Sequence, residues 1–416
     1  MLFLYRILIN LILLVSPLII VFRILKNKEH PTRFLEKLGI VNKKKKTGKL
    51  IWFHGSSVGE ILSVMPLIEN LEKKQNIKQI LLTSNTLSSA KVFNNFKLKK
   101  TLHQFFPIDS NFITKKFLNY WKPSLAIFIE SEIWPNMINN LKIKNINLIL
   151  LNARITKKSY KKWKRISFFS KSIFKKFNIC LPQNDETVNY LKKLGATKIK
   201  KLGNLKFSKT TLNSLDRINK NTENFFNKKK ILFGAISTHN GEEIFCAKIH
   251  AQLKKKYSNG ITIIIPRHIH RAETIKNEIE SIGLKVHLHS SNVKKIDRKT
   301  DIYLVNVFGE TKSFLKICKI VFLGGSLIQH GGQNPLEAAH LGCKVIHGPS
   351  IYNFREVYSL LKKNNISSQI RDLKNAKTII NKNLNNKYNY NKITKRLNSI
   401  GNEVLIKNKK EISKYI

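Results

Sequence analysis

The feature that most constrains the fold is a repeated alternation of short apolar runs with helical segments from Lys49 onwards. The apolar runs are nearly continuous, which is typical of parallel strands covered on both faces. A polar stretch, Ser208 to Lys230, interrupts the alternation, which then resumes. The sequence therefore predicts an α/β protein with two doubly wound, Rossmann-like domains. Ligands are expected outside the carboxyl ends of the strands, in a cleft between the domains. The predicted strands are Leu50 to His54, Gln79 to Ser84, Leu125 to Glu130, Asn147 to Leu151, Ile231 to Ile236, Ile261 to Ile265, Tyr303 to Val305 and Ile320 to Leu323, and the predicted helices include Glu60 to Leu71 and Ile133 to Leu141.

A glycine-rich stretch, Ile320 to Pro349, predicts a strand, loop, helix and strand unit. Its helix is expected to start at Asn334, and its second strand covers Lys344 to His347. Glycine pairs let a ligand approach the backbone, and a helix start offers free N–H groups to an anion. The stretch thus predicts a phosphate-binding loop; the alternative is that the glycines only form tight turns and Glu337 is a solvated helix residue.

Composition limits the function classes. The 416 residues suggest two or three domains. The net charge of +51 favours an anionic partner, but the excess is mostly lysine spread along the chain, with no nucleic-acid-binding module. We therefore predict no nucleic-acid partner. The cysteines are widely spaced and indicate neither a zinc site nor a disulfide framework, so a reducing compartment is expected.

The first segment, Leu2 to Phe22, is apolar apart from Arg6, Asn10, Ser16 and Pro17. A cleaved signal peptide is the rival interpretation, but basic residues follow instead of a small-residue cleavage pattern. Positive charge after the segment places the remainder on the cytoplasmic side. We predict one membrane anchor that either spans the bilayer or lies in its interface.

Acidic residues follow two of the predicted strands. Glu60 stands where a helix begins, so the helix dipole favours its anion and it can accept a proton, although it can equally be a capping acid. Glu130 and Glu132 are two apart on a segment expected to be extended, which would put them on one side. The alternative for this pair is a structural role.

Cationic and hydroxyl groups follow strands of the second domain. Arg267 and His268 come after Ile261 to Ile265, and an arginine there suits bidentate binding of a phosphate or carboxylate. Ser237 and Thr238 follow the first strand of this domain and can bind an anion, or cap the next helix.

Taken in order, these segments resemble one family. The motifs are HGSSVGE (54–60), ESEIWPN (130–136), LNARIT (151–156), GNLKF (203–207), STHNGEE (237–243), PRH (266–268), FGE (308–310) and GGSLIQHGGQNPLEAA (324–339). In sequence and spacing they are similar to the Kdo (3-deoxy-D-manno-octulosonic acid) transferases of lipid A biosynthesis in Gram-negative bacteria. The resemblance implies a GT-B fold, CMP-Kdo as donor, a lipid A precursor as acceptor, and an inverting reaction without metal or other cofactor at the cytoplasmic face of the inner membrane.

The resemblance also implies residue roles. Glu60 matches the proposed base, and Glu130 and Glu132 match a second acidic element. The donor-binding residues are Arg267, His268, Gly309, Glu310, Ser326, Asn334, Glu337, Ser237 and Thr238, and the acceptor-side candidates are Ser57, Gly59, Asn152 and Arg154. Glu337 is expected to bond ribose hydroxyls, because a carboxylate and a phosphate repel each other. Gln333 and Asn306 depart from the family pattern, which leaves fine donor contacts open.

The predicted division is an anchor at 1–25, a basic linker at 26–48, an acceptor-binding domain at 49–207, a donor domain at 208–382 and a C-terminal helical segment at 383–416. Two alternatives stay open at this stage. One is a GT-B transferase that uses another nucleotide sugar, and the other is a basic nucleic-acid-binding or membrane scaffold protein.

Overall fold

The computed structural model describes residues 1–208, 218–289, 296–307, 309–386 and 390–416. The chain forms two compact units, one of Met1–Asn213 with Ser399–Ile416, and the other of Ser214–Asn398. Each unit contains one parallel β-sheet. The domain limits given above from the sequence, at residues 48, 207 and 382, stay predictions.

Unit 1 is built on a six-stranded sheet in the order β3-β2-β1-β4-β5-β6. Its central strands are buried along their whole length, as parallel strands between two helical layers must be. The strands are β1 (Leu50–His54), β2 (Gln79–Ser84), β3 (Thr101–Phe105), β4 (Leu125–Ile129), β5 (Asn147–Ala153) and β6 (Ile179–Pro182). The helices are α1 (Leu2–Leu25), α2 (Val58–Glu72), α3 (Leu87–Asn94), α4 (Asn111–Trp121), α5 (Pro135–Ile143), α6 (Lys157–Arg165), α7 (Ser167–Phe174) and α8 (Asp185–Leu194), with short 3-10 turns at Arg33–Leu38 and Leu205–Phe207.

Unit 2 is built on a seven-stranded sheet in the order β13-β12-β11-β7-β8-β10-β9. The strands are β7 (Lys230–Thr238), β8 (Gly260–Pro266), β9 (Val286–Leu288), β10 (Ile302–Leu304), β11 (Ile320–Leu323), β12 (Lys344–His347) and β13 (Ser367–Gln369). The helices are α9 (Lys220–Asn227), α10 (Glu242–Lys254), α11 (Ala272–Glu280), α12 (Thr311–Ile317), α13 (Leu336–His340), α14 (Arg355–Lys363) and α15 (Leu373–Asn385), with a 3-10 turn at Ile269–Arg271. Helix α16 (Tyr390–Ile412) begins in unit 2 and ends in unit 1, where a 3-10 turn at Ser413–Tyr415 follows it.

The predicted fold class is confirmed, and the predicted strands are present with limits shifted by one or two residues at most. Strands β3, β6, β9 and β13 were not predicted from the sequence. Thr101–Phe105 mixes polar and apolar residues, Ile179–Pro182 is a run of only four residues, and the other two strands have three residues each. All four are edge strands of their sheets, where burial on two faces is least demanding.

The terminal helices both involve unit 1. The end of α16 packs against this unit: Val404 and Ile412 join its core, and Gly401 lies so close to the carbonyl of Phe207 that a Cβ would be 2.2 Å from it. In the described part of the chain, α1 alone is long and apolar enough to cross a bilayer.

Candidate functional site

The carboxyl end of β1 and β4 is the switch point of the first sheet. These two strands are neighbours, and the strand order runs in opposite directions on either side of them. In open α/β sheets the loops at such a point diverge, and ligands bind in the crevice between them. The predicted acids lie in these two loops.

Glu60 lies in the first turn of α2, and 9% of it is exposed. The Ser57 hydroxyl donates to its Oε1 at 2.8 Å, and the backbone N–H of Ser56 donates to its Oε2 at 2.8 Å. Gly55 makes this approach possible, because a Cβ there would be 2.9 Å from Ile129 and 3.2 Å from the Cβ of Glu60. The carboxylate is therefore held in one orientation by two donors.

Burial raises the pKa of Glu60 to about 7. The neighbouring carboxylates of Glu130 and Glu132 act in the same direction, whereas the hydrogen bonds from Ser56 and Ser57 oppose the shift. A carboxylate with a pKa near the working pH is a more effective base than one at its ordinary value. The Ser57 hydroxyl caps α2 by accepting a hydrogen bond from the Glu60 N–H. Glu60 is therefore part of the helix cap and also carries the carboxylate with the raised pKa.

Glu132 is bound to a histidine and a tryptophan. Its Oε2 is 2.9 Å from Nε2 of His54 and 2.9 Å from Nε1 of Trp134. His54 itself is fully buried, with Nδ1 at 3.0 Å from the Thr83 hydroxyl. Burial works to raise the pKa of Glu132, but the bonds from His54 and Trp134 outweigh it and lower the pKa. Glu132 is therefore a fixed anion beside Glu60.

Glu130 has a different partner. Its Oε1 is 2.5 Å from Nζ of Lys206, and its backbone has a φ of +56°, in the left-handed region. The strand ends at Ile129, so the segment is not extended. The expectation that Glu130 and Glu132 share a side as on a strand is wrong for this reason. A left-handed non-glycine residue is strained and marks a functional position more often than an ordinary one.

The acceptor-side candidates divide into loop and scaffold positions. Ser57 and Gly59 are exposed, and no atom lies within 4 Å of a Cβ built on Gly59. Asn152 is buried with a φ of +52°, and its Oδ1 accepts from the N–H of Leu205 at 3.0 Å. The N–H of Arg154 donates to the Glu130 carbonyl at 3.2 Å. Asn152 thus shapes the GNLKF segment, and its role toward a ligand stays a prediction.

The switch point of the second sheet lies at the carboxyl ends of β7 and β11. A buried carboxylate, Glu242 in the first turn of α10, bridges the two loops there. Its Oε2 accepts from the N–H of His239 at 3.0 Å and of Gly325 at 2.6 Å, and its Oε1 accepts from Ser326 at 3.0 Å and Leu327 at 2.9 Å. The N–H groups of Gly325, Ser326 and Leu327 are therefore already bound by Glu242. The anion site predicted at the start of the following helix stays a prediction.

The remaining loop residues are packed against each other. Ser326 is fully buried, and its hydroxyl donates to the Leu323 carbonyl and accepts from the Gly348 N–H. Ser237 has a φ of +55° and Thr238 is buried, while the residue before α10 is Gly241. The alternative that Ser237 or Thr238 caps this helix is therefore wrong, and their donor-binding role stays a prediction.

Cationic groups are exposed beside this loop. Arg267 and His268 follow β8 and are both exposed. The ring of His239 is 5.9 Å from that of His268 and 4.4 Å from that of His330, measured between centroids. Burial is the main cause that lowers the pKa of His239, and the nearby groups His330, His268 and Arg267 act in the same direction. The carboxyl end of β8 is therefore a basic edge, with one arginine and several imidazoles, that is suited to an anion.

The other predicted donor residues lie on shorter elements. Asn334 and Glu337 are exposed, and α13 starts at Leu336, two residues later than expected, with the Asn334 Oδ1 accepting from the Leu336 N–H. Glu310 directly follows Gly309, and its Oε2 is 3.0 Å from Nε2 of His289. Phe308 of the FGE motif lies outside the described residues. Gln333 and Asn306 are the two residues that depart from the family pattern. Nε2 of Gln333 is 3.4 Å from Nε2 of His239, and Oδ1 of Asn306 is buried with no hydrogen bond to described residues.

Comparison with known proteins shows the family. Residues 32–209 match the model described as 3-deoxy-D-manno-octulosonic-acid transferase (kdotransferase). A 3-deoxy-D-manno-octulosonic acid transferase of Rickettsia bellii is 36% identical over 369 residues, covering 88% of this chain and 87% of that protein. The chain belongs to the Kdo transferase family. The transferase of Haemophilus influenzae is 27% identical over 413 residues, covering 98% of this Kdo transferase and 96% of its relative.

Solved structures agree with the fold of this Kdo transferase. A UDP-GlcNAc 2-epimerase from Neisseria meningitidis, bound to UDP-GlcNAc, matches with a TM-score of 0.54 and 15% identity, over 86% of this chain and all of that chain. Likeness at this identity shows the fold alone, which is GT-B. This Kdo transferase is thus built from two Rossmann-like domains.

Sequence reasoning missed several residues of the Kdo transferase site. His54, Lys206 and Glu242 all stand in motifs that were recognised, HGSSVGE, GNLKF and STHNGEE, but none was assigned a role. Their roles depend on partners far along the chain, Glu132, Glu130 and the Gly325 loop. The available signal was that each is an ionisable residue within a motif at a strand end. Among described residues, no three His, Cys, Asp or Glu side chains are grouped to hold a metal ion.

Proposed function

We propose that this enzyme transfers Kdo from CMP-Kdo to a lipid A precursor at the cytoplasmic face of the inner membrane, with inversion and without a metal. The observation that carries the proposal is the environment of Glu60, a buried, doubly hydrogen-bonded carboxylate with a pKa of about 7 at the switch point. An enzyme that deprotonates a sugar hydroxyl at neutral pH needs such a base.

In the proposed reaction, Glu60 accepts the proton of an acceptor hydroxyl while that oxygen forms a bond to the anomeric carbon of Kdo. The bond from this carbon to the phosphate oxygen breaks on the opposite face, and CMP leaves with the electron pair. The bonds from Ser56 and Ser57 aim the carboxylate. Base catalysis of this kind contributes about 10² to 10⁴-fold.

The leaving phosphate gains charge in this step, and a fixed cation stabilises it. Arg267, exposed at the carboxyl end of β8, is the proposed partner, with His268 beside it. A guanidinium can replace the divalent cation that many nucleotide-sugar transferases require. Glu337 and Asn334, both exposed, are proposed to bind the ribose hydroxyls.

The test is release of CMP from CMP-Kdo by the purified protein in detergent, with and without a tetra-acylated lipid A precursor. We expect acceptor-dependent release, a product heavier by one or more Kdo residues, and unchanged rates in the presence of a chelator. Release of UDP or GDP from UDP- or GDP-sugars, with no release of CMP from CMP-Kdo, would contradict the proposal that CMP-Kdo is the donor. Products that retain the donor's anomeric configuration would contradict the inversion, and loss of rate with the chelator would contradict the metal-independent step.

A further inference from the structure

Helix α1 has one continuous stripe of half-buried and buried positions, and its first turns contact the rest of unit 1. Tyr5 donates to Asp109 at 2.8 Å, and the Arg6 guanidinium donates to Asn136 and Asn111 at 3.0 and 3.2 Å. Further along the helix the same stripe is covered at Ser16 and again at Ile20, which is 8% exposed. The half-buried and buried positions are Leu2, Tyr5, Arg6, Ile9, Leu13, Ser16, Ile20, Arg23 and Ile24, which recur at helical spacing.

Both ends of α1 are bound within unit 1. At its end, Arg23 pairs with Glu29 at 3.2 Å, and Glu29 pairs with Lys37 at 2.5 Å. The carbonyl of Lys37 accepts from the N–H of Ile108, directly before the Asp109 that binds Tyr5. A helix of 24 residues is about 36 Å long. A bilayer-spanning helix of this length would leave the protein body at one end, whereas α1 stays in contact with it at both.

The other faces of α1 are exposed and apolar, and the apolar surface continues onto neighbouring elements. Phe112 follows Asn111, which binds Arg6, and it is exposed. The ring of Phe169 in α7 packs near the Tyr5 ring, with 6.4 Å between the ring centroids, and its neighbour Phe168 is 87% exposed. The exposed apolar residues of α1 are Phe3, Leu4, Ile7, Leu8, Leu11, Ile12, Leu14, Val15, Leu18, Ile19, Val21, Phe22 and Leu25.

A basic helix borders this apolar surface. Helix α6 has no buried residue, and its Trp163 ring contacts Phe169 at 6.5 Å. Its basic residues are Lys157, Lys158, Lys161, Lys162, Lys164 and Arg165. No Asp or Glu occurs between Glu132 and Asp185, so no acidic residue of this segment offsets them. Apolar groups beside a cluster of positive charge match an anionic lipid surface, because the acyl region takes the former and the headgroups attract the latter.

We propose that α1 lies flat in the interface of an anionic bilayer instead of crossing it, and that Phe112, Phe168 and the lysines of α6 form a second contact on the same surface. The sequence left spanning and interfacial binding open; the stripe and the two bound ends select the second. Fixing both α1 and α6–α7 against lipid would hold the whole of unit 1 in one orientation. The inference rests on the proposed membrane location and not on the transfer chemistry.

The test measures the depth of nitroxide labels in vesicles of phosphatidylethanolamine and phosphatidylglycerol. Single cysteines replace exposed residues at positions 4, 11, 18 and 22 of the full chain, where the four native cysteines are buried. These positions share one face and extend about 27 Å along the helix. Collision rates with oxygen and with a water-soluble nickel chelate report depth. We expect the same shallow depth, about 5 to 10 Å below the headgroups, at all four positions.

A profile that is deepest at positions 11 and 18 and returns to water at both ends would overturn the flat orientation and leave the membrane location standing. A protein that does not partition to the vesicles would overturn both. Neither result bears on CMP release from CMP-Kdo in detergent, so failure of this inference is distinguishable from failure of the proposed reaction.

The second contact is tested by Phe168→Asp in the full chain. Removing a membrane-inserted phenyl ring should weaken vesicle partitioning by at least about tenfold. The matched control is Ile406→Asp on α16, which is exposed but belongs to the part of unit 1 that packs on the opposite side of its sheet from α7. Equal partitioning of both variants and the parent would overturn the contribution of α6–α7.

Discussion

Glu60 and Glu242 occupy equivalent positions in the two sheets and have opposite environments. Each lies in the first turn of the helix that follows the strand at its switch point. Glu60 accepts two hydrogen bonds, both from its own loop. Glu242 accepts four backbone N–H bonds, three of them from the distant Gly325 loop. One carboxylate keeps capacity to accept a proton, and the other is saturated.

The charges around the two carboxylates differ as well. Around Glu60 lie two further carboxylates, Glu130 and Glu132, which raise its pKa. Beside the loop that Glu242 holds, the exposed groups are Arg267 and His268. The same topology therefore presents an acidic edge in one unit and a basic edge in the other. A base is needed where a hydroxyl is deprotonated, and a cation is needed where a phosphate leaves.

The largest effect should come from Glu60→Gln, which keeps the shape of the side chain but removes its ability to take a proton. We expect the rate of Kdo transfer to fall by about 10² to 10⁴-fold, with the affinity for CMP-Kdo unchanged. The rate is measured as acceptor-dependent CMP release, and the affinity by calorimetry. Glu69→Gln on the same helix is the matched control and should keep full activity. Full activity of Glu60→Gln would refute the base assignment.

Glu242→Gln tests the saturated carboxylate. An amide presents one oxygen to four N–H donors and turns an NH₂ group toward others, so buried donors lose their partners. We expect the free energy of unfolding to fall by about 2 to 5 kcal/mol, measured by urea denaturation. The control is Glu273→Gln, an exposed acid in the first turn of α11, with an expected change within about 0.5 kcal/mol. Equal changes in the two variants would contradict a special role for Glu242.

Arg267→Ala tests the basic edge. Loss of a charge-assisted hydrogen bond to phosphate costs about 1.5 to 3 kcal/mol, so we expect CMP-Kdo affinity to weaken by roughly ten- to a hundredfold. Arg298→Ala is the control, because Arg298 is also exposed but precedes β10 and so lies at the opposite end of the strands. A donor affinity unchanged in Arg267→Ala would remove this residue from the site.

Much of this comparison was predictable from the sequence. Nearly continuous apolar runs identified the buried strands, and Glu60 and Arg267 were recognisable because each directly follows such a run or starts the helix after it. The partner of each group was not predictable. The Glu130 and Lys206 pair, and the bonds from Gly325 to Glu242, join residues 76 and 83 positions apart, and only the strand order brings them together. The turn at Glu130 was hidden as well, since a left-handed φ at glutamate leaves no signature in residue type.

The smallest expected effect is the pH dependence of the transfer rate, which tests the raised pKa that distinguishes Glu60 from Glu242. Since Glu60 must be unprotonated to act and its pKa is about 7, we expect the maximal rate to fall about tenfold per pH unit below that value. The rate is measured with both substrates saturating, with Glu69→Gln as control for general effects of the medium. A rate that is flat from pH 5 to pH 8 would contradict a base with this pKa.

Stability should move against activity over the same range. The pKa of Glu60 is raised by burial from 4.5 to about 7, so the folded state binds the proton more tightly than the unfolded state. This contribution is fully present below pH 4.5 and is lost as the pH rises through about 7, which amounts to about 3 kcal/mol. Glu60→Gln cannot ionise, so it should gain stability relative to the parent between pH 4 and pH 8 in urea denaturation. If the difference in stability between Glu60→Gln and the parent does not change with pH, burial of the Glu60 carboxylate does not destabilise the fold. The physical reason for its raised pKa would then be gone.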